Sequence, residues 1–171
     1  MTPDDGRGVV DLETALAGTP AGHKAELRLW LRLLSCSNLV QAEIRRRLRE
    51  RFGTTLPRFD LLAQIARAPD GLTLGAISRR MMVSNGNVTA LAASLEREDL
   101  VERRTRPSDR RAQTLRLTAR GRREFAEQSA AHEHWIAELF ERVPPADRAA
   151  LHALLGTTKD AVRDALRENA A

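Results

Sequence analysis

The 171-residue chain contains one cysteine, two lysines and six aromatic residues, four Phe and two Trp, with no Tyr. Cys36 alone cannot close an intrachain disulfide, and a zinc site built on several cysteines is excluded. Long hydrophobic runs are also missing. The longest uncharged window, Met81 to Leu95, carries Ser, Asn, Gly and Thr, so no membrane span is expected. The start, Met1-Thr-Pro-Asp-Asp, has neither the basic nor the apolar stretch of a signal peptide, and a cytoplasmic protein is the expectation. No glycine-rich phosphate loop or nucleophile elbow appears. His132 and His134 lie two apart, on different faces of a helix, and cannot chelate one ion together. The sequence therefore calls for no metal, no cofactor and no catalytic activity, while a zinc enzyme with His23 and His152 remains a rival to be excluded by titration.

What is present is arginine. Of 28 basic residues 26 are arginines, against 23 acidic ones, for a net charge of +5. An arginine-rich genome could produce that ratio, but it would spread the residues evenly. The segment from Thr73 to Arg123 holds 12 basic and 5 acidic residues, whereas Glu124 to Ala171 holds 5 and 9. A basic module beside an acidic one is the footprint expected of nucleic-acid binding. The same basic segment contains no aromatic residue. Single strands and RNA loops are gripped by stacked rings, so duplex DNA is the better partner. Hydrophobic residues at 42% are enough for a folded core.

Hydrophobic periodicity divides the chain. Residues 1–20, with five Gly and Pro, read as a loose arm. Leu27, Leu31, Leu34, Val40, Ile44 and Leu48 recur at helical spacing, predicting one long helix from Gly22 to Arg51. Its arginine run, Arg45 to Arg51, reads as a solvated face. A second helix starts at Leu56-Pro57 and runs to Arg67, and Pro69-Asp70-Gly71 forms a turn. Thr73 caps a short helix to Met81, Ser84 caps another from Asn85 to Glu98, and the tight join at Met82-Val83 makes a helix-turn-helix. Leu100 to Arg104 and Thr114 to Leu117 alternate as strands do and predict a hairpin, or wing, with a basic tip from Arg106 to Arg111. Thr118 caps a long helix through Phe140, Pro144-Pro145 breaks it, and a last helix spans Ala146 to Arg167. The fold class is mainly α with a small β-hairpin wing. A winged helix-turn-helix at 54–124 is flanked by a helical dimerisation layer at 21–53 and 125–171, whose apolar faces need a second copy.

The second helix of a helix-turn-helix meets base edges through its first turn. Ser84, Asn85, Gly86, Asn87 and Thr89 occupy that position. Asn can pair with adenine at two atoms, and a Thr methyl can touch that of thymine. Gly86 costs the helix about 1 kcal/mol relative to Ala, a cost that close approach to DNA would offset. Arg79, Arg80 and Arg97 flank this uncharged stretch and are placed to hold phosphates. On the wing, Arg103, Arg104, Arg106, Arg110 and Arg111 can reach a narrow minor groove. Asp109 supports the turn and aims an arginine, Arg111 in the first instance.

The run from Leu72 through Ser84-Asn85-Gly86-Asn87-Val88-Thr89 and Leu100-Val101, then Asp109-Arg110-Arg111-Ala112 and Leu117-Thr118 to Gly121, resembles the MarR family of winged-helix regulators. The resemblance covers about Gly22 to Arg167. It implies a homodimer formed by the terminal helices, a pseudo-palindromic operator, repression, and insertion of Arg111 into the minor groove. One departure is Asp99, where the family usually has Gly; Asp tolerates a left-handed helix end better than most residues. The resemblance further implies a small aromatic acid or phenol as effector, bound between the dimer layer and the winged helix, with Trp30, Arg32, Phe59 and His132 as candidate walls and Trp135 a further possibility. The stretch from Leu27 to Arg67 also resembles regulators of aromatic-acid catabolism, some of which sense acyl-CoA thioesters. Two further rivals stay open. Some relatives sense peroxide through a cysteine, although mid-helix Cys36 sits where a buried, inert thiol is commoner. A non-specific DNA-coating protein would instead bind with a steep salt dependence and no sequence preference.

Overall fold

The computed structural model describes residues 24–106 and 109–169, with the side chains of residues 106 and 109–112 outside that description. The arm at 1–20 lies outside it too. The described chain forms α1 (Lys24–Phe52), α2 (Leu56–Ala66), α3 (Leu74–Met81), α4 (Asn85–Arg97), β1 (Val101–Arg106), β2 (Asp109–Leu117), α5 (Ala119–Leu139) and α6 (Pro145–Glu168). Two compact units result, one reaching Ser129 and the other beginning at Ala130. The architecture is the expected one: mostly helical, with a two-stranded antiparallel hairpin.

In the first unit, α1 ends because Gly53 turns left-handed, at φ 61, while its N–H still reaches the Arg49 carbonyl at 3.1 Å. A glycine just past the helix meets that geometry without strain. Ile44 and Leu48 are the residues α1 buries. Leu27, Leu29, Trp30 and Leu39, nearer its start, stay exposed. The predicted arginine face holds: Arg46 grips Glu43 with two N–H groups, at 2.9 and 2.6 Å. Arg46 also reaches Glu50 at 2.6 Å. These neighbours hold the Glu43 carboxyl down at about 2, first through Arg46 and then through Arg47.

The core gathers Leu61, Leu62 and Ile65 of α2, Ile77 of α3, Val88, Ala92 and Leu95 of α4, and Leu100, Val101, Leu115 and Leu117 around the hairpin. Strand pairing runs regularly from Val101 opposite Leu117 to Thr105 opposite Gln113. Periodicity did not reveal a second pairing. Leu72 exchanges both backbone hydrogen bonds with Leu115, at 3.1 and 2.8 Å. Gly71 makes that crossing possible: it has φ 80, and a Cβ there would lie 2.7 Å from the Leu115 carbonyl oxygen.

The end of α4 is tied to the start of α5 by a second close approach. Asp99 adopts φ 57, so the Asp in the usual glycine position does take the left-handed turn. Thr118 donates its N–H to the Leu100 carbonyl at 3.1 Å and its hydroxyl to the Asp99 carbonyl at 2.6 Å. That hydroxyl also accepts from the Gly121 N–H at 2.9 Å, capping α5 as expected. A Cβ at Gly121 would sit 1.9 Å from the Leu100 carbonyl oxygen, so only glycine fits there.

In the second unit, α6 buries none of its residues, and Leu151, Leu154, Leu155, Val162 and Leu166 lie exposed along it.

Candidate nucleic-acid interface

The helix-turn-helix is held by its own side chains. Thr73 Oγ1 accepts from the Ala76 N–H at 3.2 Å and caps α3. At the other end Met82 closes α3 in the left-handed conformation, its N–H returning to the Ser78 carbonyl. The Ser78 hydroxyl donates to the Val83 carbonyl at 2.6 Å, which staples the turn. Ser84 Oγ then accepts from the Asn87 N–H at 3.3 Å and opens α4. Both caps are those the sequence predicts. Val88, Ala92 and Leu95 turn inward, which leaves Ser84, Asn85, Gly86, Asn87, Thr89 and Ala90 exposed along one uncharged face.

The chemistry of that face is specific. The side-chain amides of Asn85 and Asn87 make no hydrogen bond among the described residues. Thr89 spends its hydroxyl on the Asn85 carbonyl at 2.8 Å, so its methyl group is what remains to offer outward. Space is open around Gly86: a Cβ there would meet only Ser84 Oγ, at 4.0 Å. Arg79 and Arg80, at the end of α3, are exposed, and no ion pair engages either among the described residues. Arg97 is exposed as well and donates from Nε to the Ala93 carbonyl at 3.3 Å.

The wing arginines divide. Arg103 is bound to Glu96 of α4 at 2.8 Å, and so braces the hairpin against the helix. Arg104 pairs with Glu102, two residues back on the same strand face, at 2.9 Å. Its high exposure leaves that pair weak. Arg106, Asp109, Arg110 and Arg111 have side chains outside the described set, and so does the expected Asp109–Arg111 ion pair.

One connection had no sequence signal. Arg58 of α2 reaches forty residues along the chain to Glu98, at the end of α4, with Nη1 at 2.8 Å, and touches the Ser94 hydroxyl at 2.9 Å. The guanidinium holds the Glu98 carboxyl below its usual range. The far end of α4 is thereby fastened to α2.

A family model described as "MarR family" matches residues 52–112. The crystal structure of a MarR family transcriptional regulator from Silicibacter pomeroyi is 32% identical, over 84% of this chain and 99% of that one, with a TM-score of 0.71. The chain belongs to the MarR family of transcriptional regulators. Among curated proteins, the transcriptional activatory protein BadR of Rhodopseudomonas palustris is 32% identical over 106 residues, 60% of each chain; the chain therefore spans less than two thirds of BadR's length in that match. CouR from Rhodococcus jostii RHA1, solved bound to p-coumaroyl-CoA, shares the fold at 21% identity, over 76% of this chain and 90% of its own, with a TM-score of 0.67. These relatives are regulators rather than enzymes. Among the described residues no group of His, Cys, Asp and Glu could hold a metal ion, and no helix is long and apolar enough to cross a membrane.

The residues assigned to an effector by resemblance to the MarR family are scattered in kind. Trp30 is 57% exposed. Arg32, two residues on, is turned about 200° around the helix from it. Phe59 is 6% exposed and packs on Phe125 with ring centroids 5.6 Å apart, a core contact. His132 is half-buried on α5, and Trp135 is buried. Cys36 differs from expectation, since its thiol is exposed rather than buried. Among the described residues nothing covers α1 at that point, and Leu39 close by is exposed as well.

Proposed function

We propose that this regulator acts as a homodimer that binds a pseudo-palindromic duplex operator, represses transcription there, and is released by a small aromatic acid, phenol or CoA thioester. The observation that carries the DNA reading is the first turn of α4: an exposed, uncharged face with two unengaged amides, beside two arginines that have no ion pair among the described residues. Neutral amides suit base edges and free guanidiniums suit phosphates. Ser84, Asn85, Gly86, Asn87 and Thr89 are assigned to the major groove, with Arg79, Arg80 and Arg97 on phosphates. Arg104, Arg106, Arg110 and Arg111 are assigned to the minor groove, Asp109 aiming Arg111. Dimerisation is supported by the apolar residues left exposed on α1 and, separately, on α6. A 24-residue helix that buries none of its leucines calls for a partner surface.

Support for the effector comes from the family and from CouR, whose solved complex contains p-coumaroyl-CoA. Trp30, Arg32, Phe59 and His132 are the positions to test. The sign of regulation is a separate question, since BadR is named as an activator; a promoter-reporter assay reads it directly.

The test of recognition is a set of operator mutants. Asn87→Ala should lose affinity at particular base pairs, by about 1–3 kcal/mol. Arg111→Ala should lose it broadly and most where the flanks are A·T-rich. Arg79→Ala should lower the slope of log affinity against log salt by about one. Half-sites should lie roughly 10 bp apart. Uniform losses for both Asn87→Ala and Arg111→Ala across all operator mutants would favour non-specific coating instead. The exposure of Cys36 favours one second reading, a peroxide-responsive regulator. Operator binding that peroxide leaves unchanged would remove it.

A further inference from the structure

The winged-helix unit contains a cavity of about 420 Å3 to which no residue of α4 contributes. It opens at the base of the wing, where the end of α2, the first residues of β1, the last of β2 and the start of α5 meet. Its size falls in the range of small-molecule pockets, about 300–1,000 Å3. Ile65, Ala68, Leu117 and Phe125 supply apolar walls, and Arg116, Arg122 and Glu102 supply charge. The Glu102 carboxylate pairs with the exposed Arg104 at 2.9 Å and sets one negative charge against the two arginines of the lining. Arg122 spends one N–H on the Leu117 carbonyl at 2.8 Å and has further donors to offer. Arg116 is the less satisfied of the two. Among the described residues its Nε is buried without a hydrogen-bond partner, and Asp70 stands 3.7 Å from Nη2, beyond hydrogen-bond reach.

Two under-used guanidiniums over an apolar floor select an organic anion: a carboxylate for the arginines and a hydrocarbon body for the walls. The body is better aliphatic than aromatic. The aromatic ring in the lining, Phe125, is already packed on Phe59, and the other apolar walls, Ile65, Ala68 and Leu117, are aliphatic. We propose that this cavity binds a short aliphatic carboxylate, with Arg116 and Arg122 holding the carboxylate and Ile65, Ala68 and Leu117 enclosing the chain. The lining shares no residue with the set assigned to the operator, nor with Trp30 and Arg32.

Titration calorimetry of the full chain with hexanoate, against 1-hexanol as the neutral control, tests it. Saturable binding of one hexanoate per chain is expected, with 1-hexanol at least tenfold weaker. Arg116→Gln should weaken hexanoate at least tenfold. Ala68→Phe, which fills the cavity and leaves both guanidiniums in place, should do the same. Trp30→Ala and Arg32→Gln should leave hexanoate binding unchanged. Absence of saturable binding overturns the proposal, as does equal binding of 1-hexanol. So does a loss of hexanoate binding in Arg32→Gln that Arg116→Gln does not share. Lowered duplex affinity in Arg116→Gln, with no hexanoate bound by the wild type, overturns it in favour of a DNA phosphate contact. The readout is hexanoate itself, so a protein that bound no operator would still pass or fail.

Discussion

Replacing Gly86 with alanine should move the free protein and its DNA complex in opposite directions. Gly86 is the second residue of α4, on the exposed face of its first turn. An added methyl would meet nothing closer than Ser84 Oγ at 4.0 Å. The free protein therefore suffers no clash and gains helix propensity, by at most about 1 kcal/mol. For a chain of this size that corresponds to a rise in Tm of roughly 2–4 °C. In the complex the same methyl stands between the backbone and the base edges it is proposed to approach. Loss of even one good contact, about 1.4 kcal/mol, raises Kd tenfold. The expected outcome is a protein that melts higher and binds its operator at least ten times more weakly. Fluorescence anisotropy on a duplex obtained by in vitro selection, at one fixed salt concentration, measures the second quantity, and calorimetry measures the first. A variant with raised Tm and unchanged Kd would refute close approach of the α4 backbone to DNA. A lowered Tm would refute the account of Gly86 as a cost to the free helix.

Gly121→Ala should be far more damaging, because its Cβ would lie 1.9 Å from a backbone carbonyl. Backbone cannot yield as a flexible side chain does, so a loss on the order of 3 kcal/mol is expected in urea unfolding; a loss below about 1 kcal/mol would mean that α5 can shift freely off Leu100. Arg58→Met should cost at most about 1 kcal/mol at pH 7. The Glu98 carboxyl is lowered from its ordinary 4.5, first by its hydrogen bond with Arg58. A lowered native value stabilises above the unfolded value and is lost as pH falls through the native one. The gap between wild type and Arg58→Met should therefore close in acid. Unfolding curves at pH 7 and pH 3 that stay equally far apart would show that the ion pair is not its cause.

Helix positions were readable because capping and periodicity are local. Thr73, Ser84 and Thr118 each precede a helix by one residue and satisfy the N–H groups that its first turn leaves open. The uncharged face of α4 was readable for the same reason: once Val88 and Leu95 face inward, helical geometry sends Asn85 and Asn87 out. Pairings across sequence distance were not readable. Leu72 with Leu115, Arg58 with Glu98 and Arg103 with Glu96 are contacts between elements, and nothing near any one of these residues encodes its partner. Arg103 illustrates the consequence. By sequence it is one more wing cation for DNA, yet the fold spends it on Glu96. Cys36 fails in the converse way. Its leucine neighbours suggest burial, but burial depends on what packs over that face.

The scarcity of aromatics and the crowding of arginine into the middle of the chain were enough to point to DNA and to the segment proposed to meet it. Those inferences rest on composition, charge and hydrophobic period, which exist before the chain folds. Which arginines remain free was decided only by the tertiary structure. A guanidinium pairs with whatever carboxylate the fold brings within about 3 Å, and that distance is set by packing rather than by position in the sequence. Among the described residues the fold left Arg79 and Arg80 without ion pairs beside α4 and occupied Arg58 and Arg103. At the base of the wing it left Arg116 with a buried Nε that meets no acceptor among those residues.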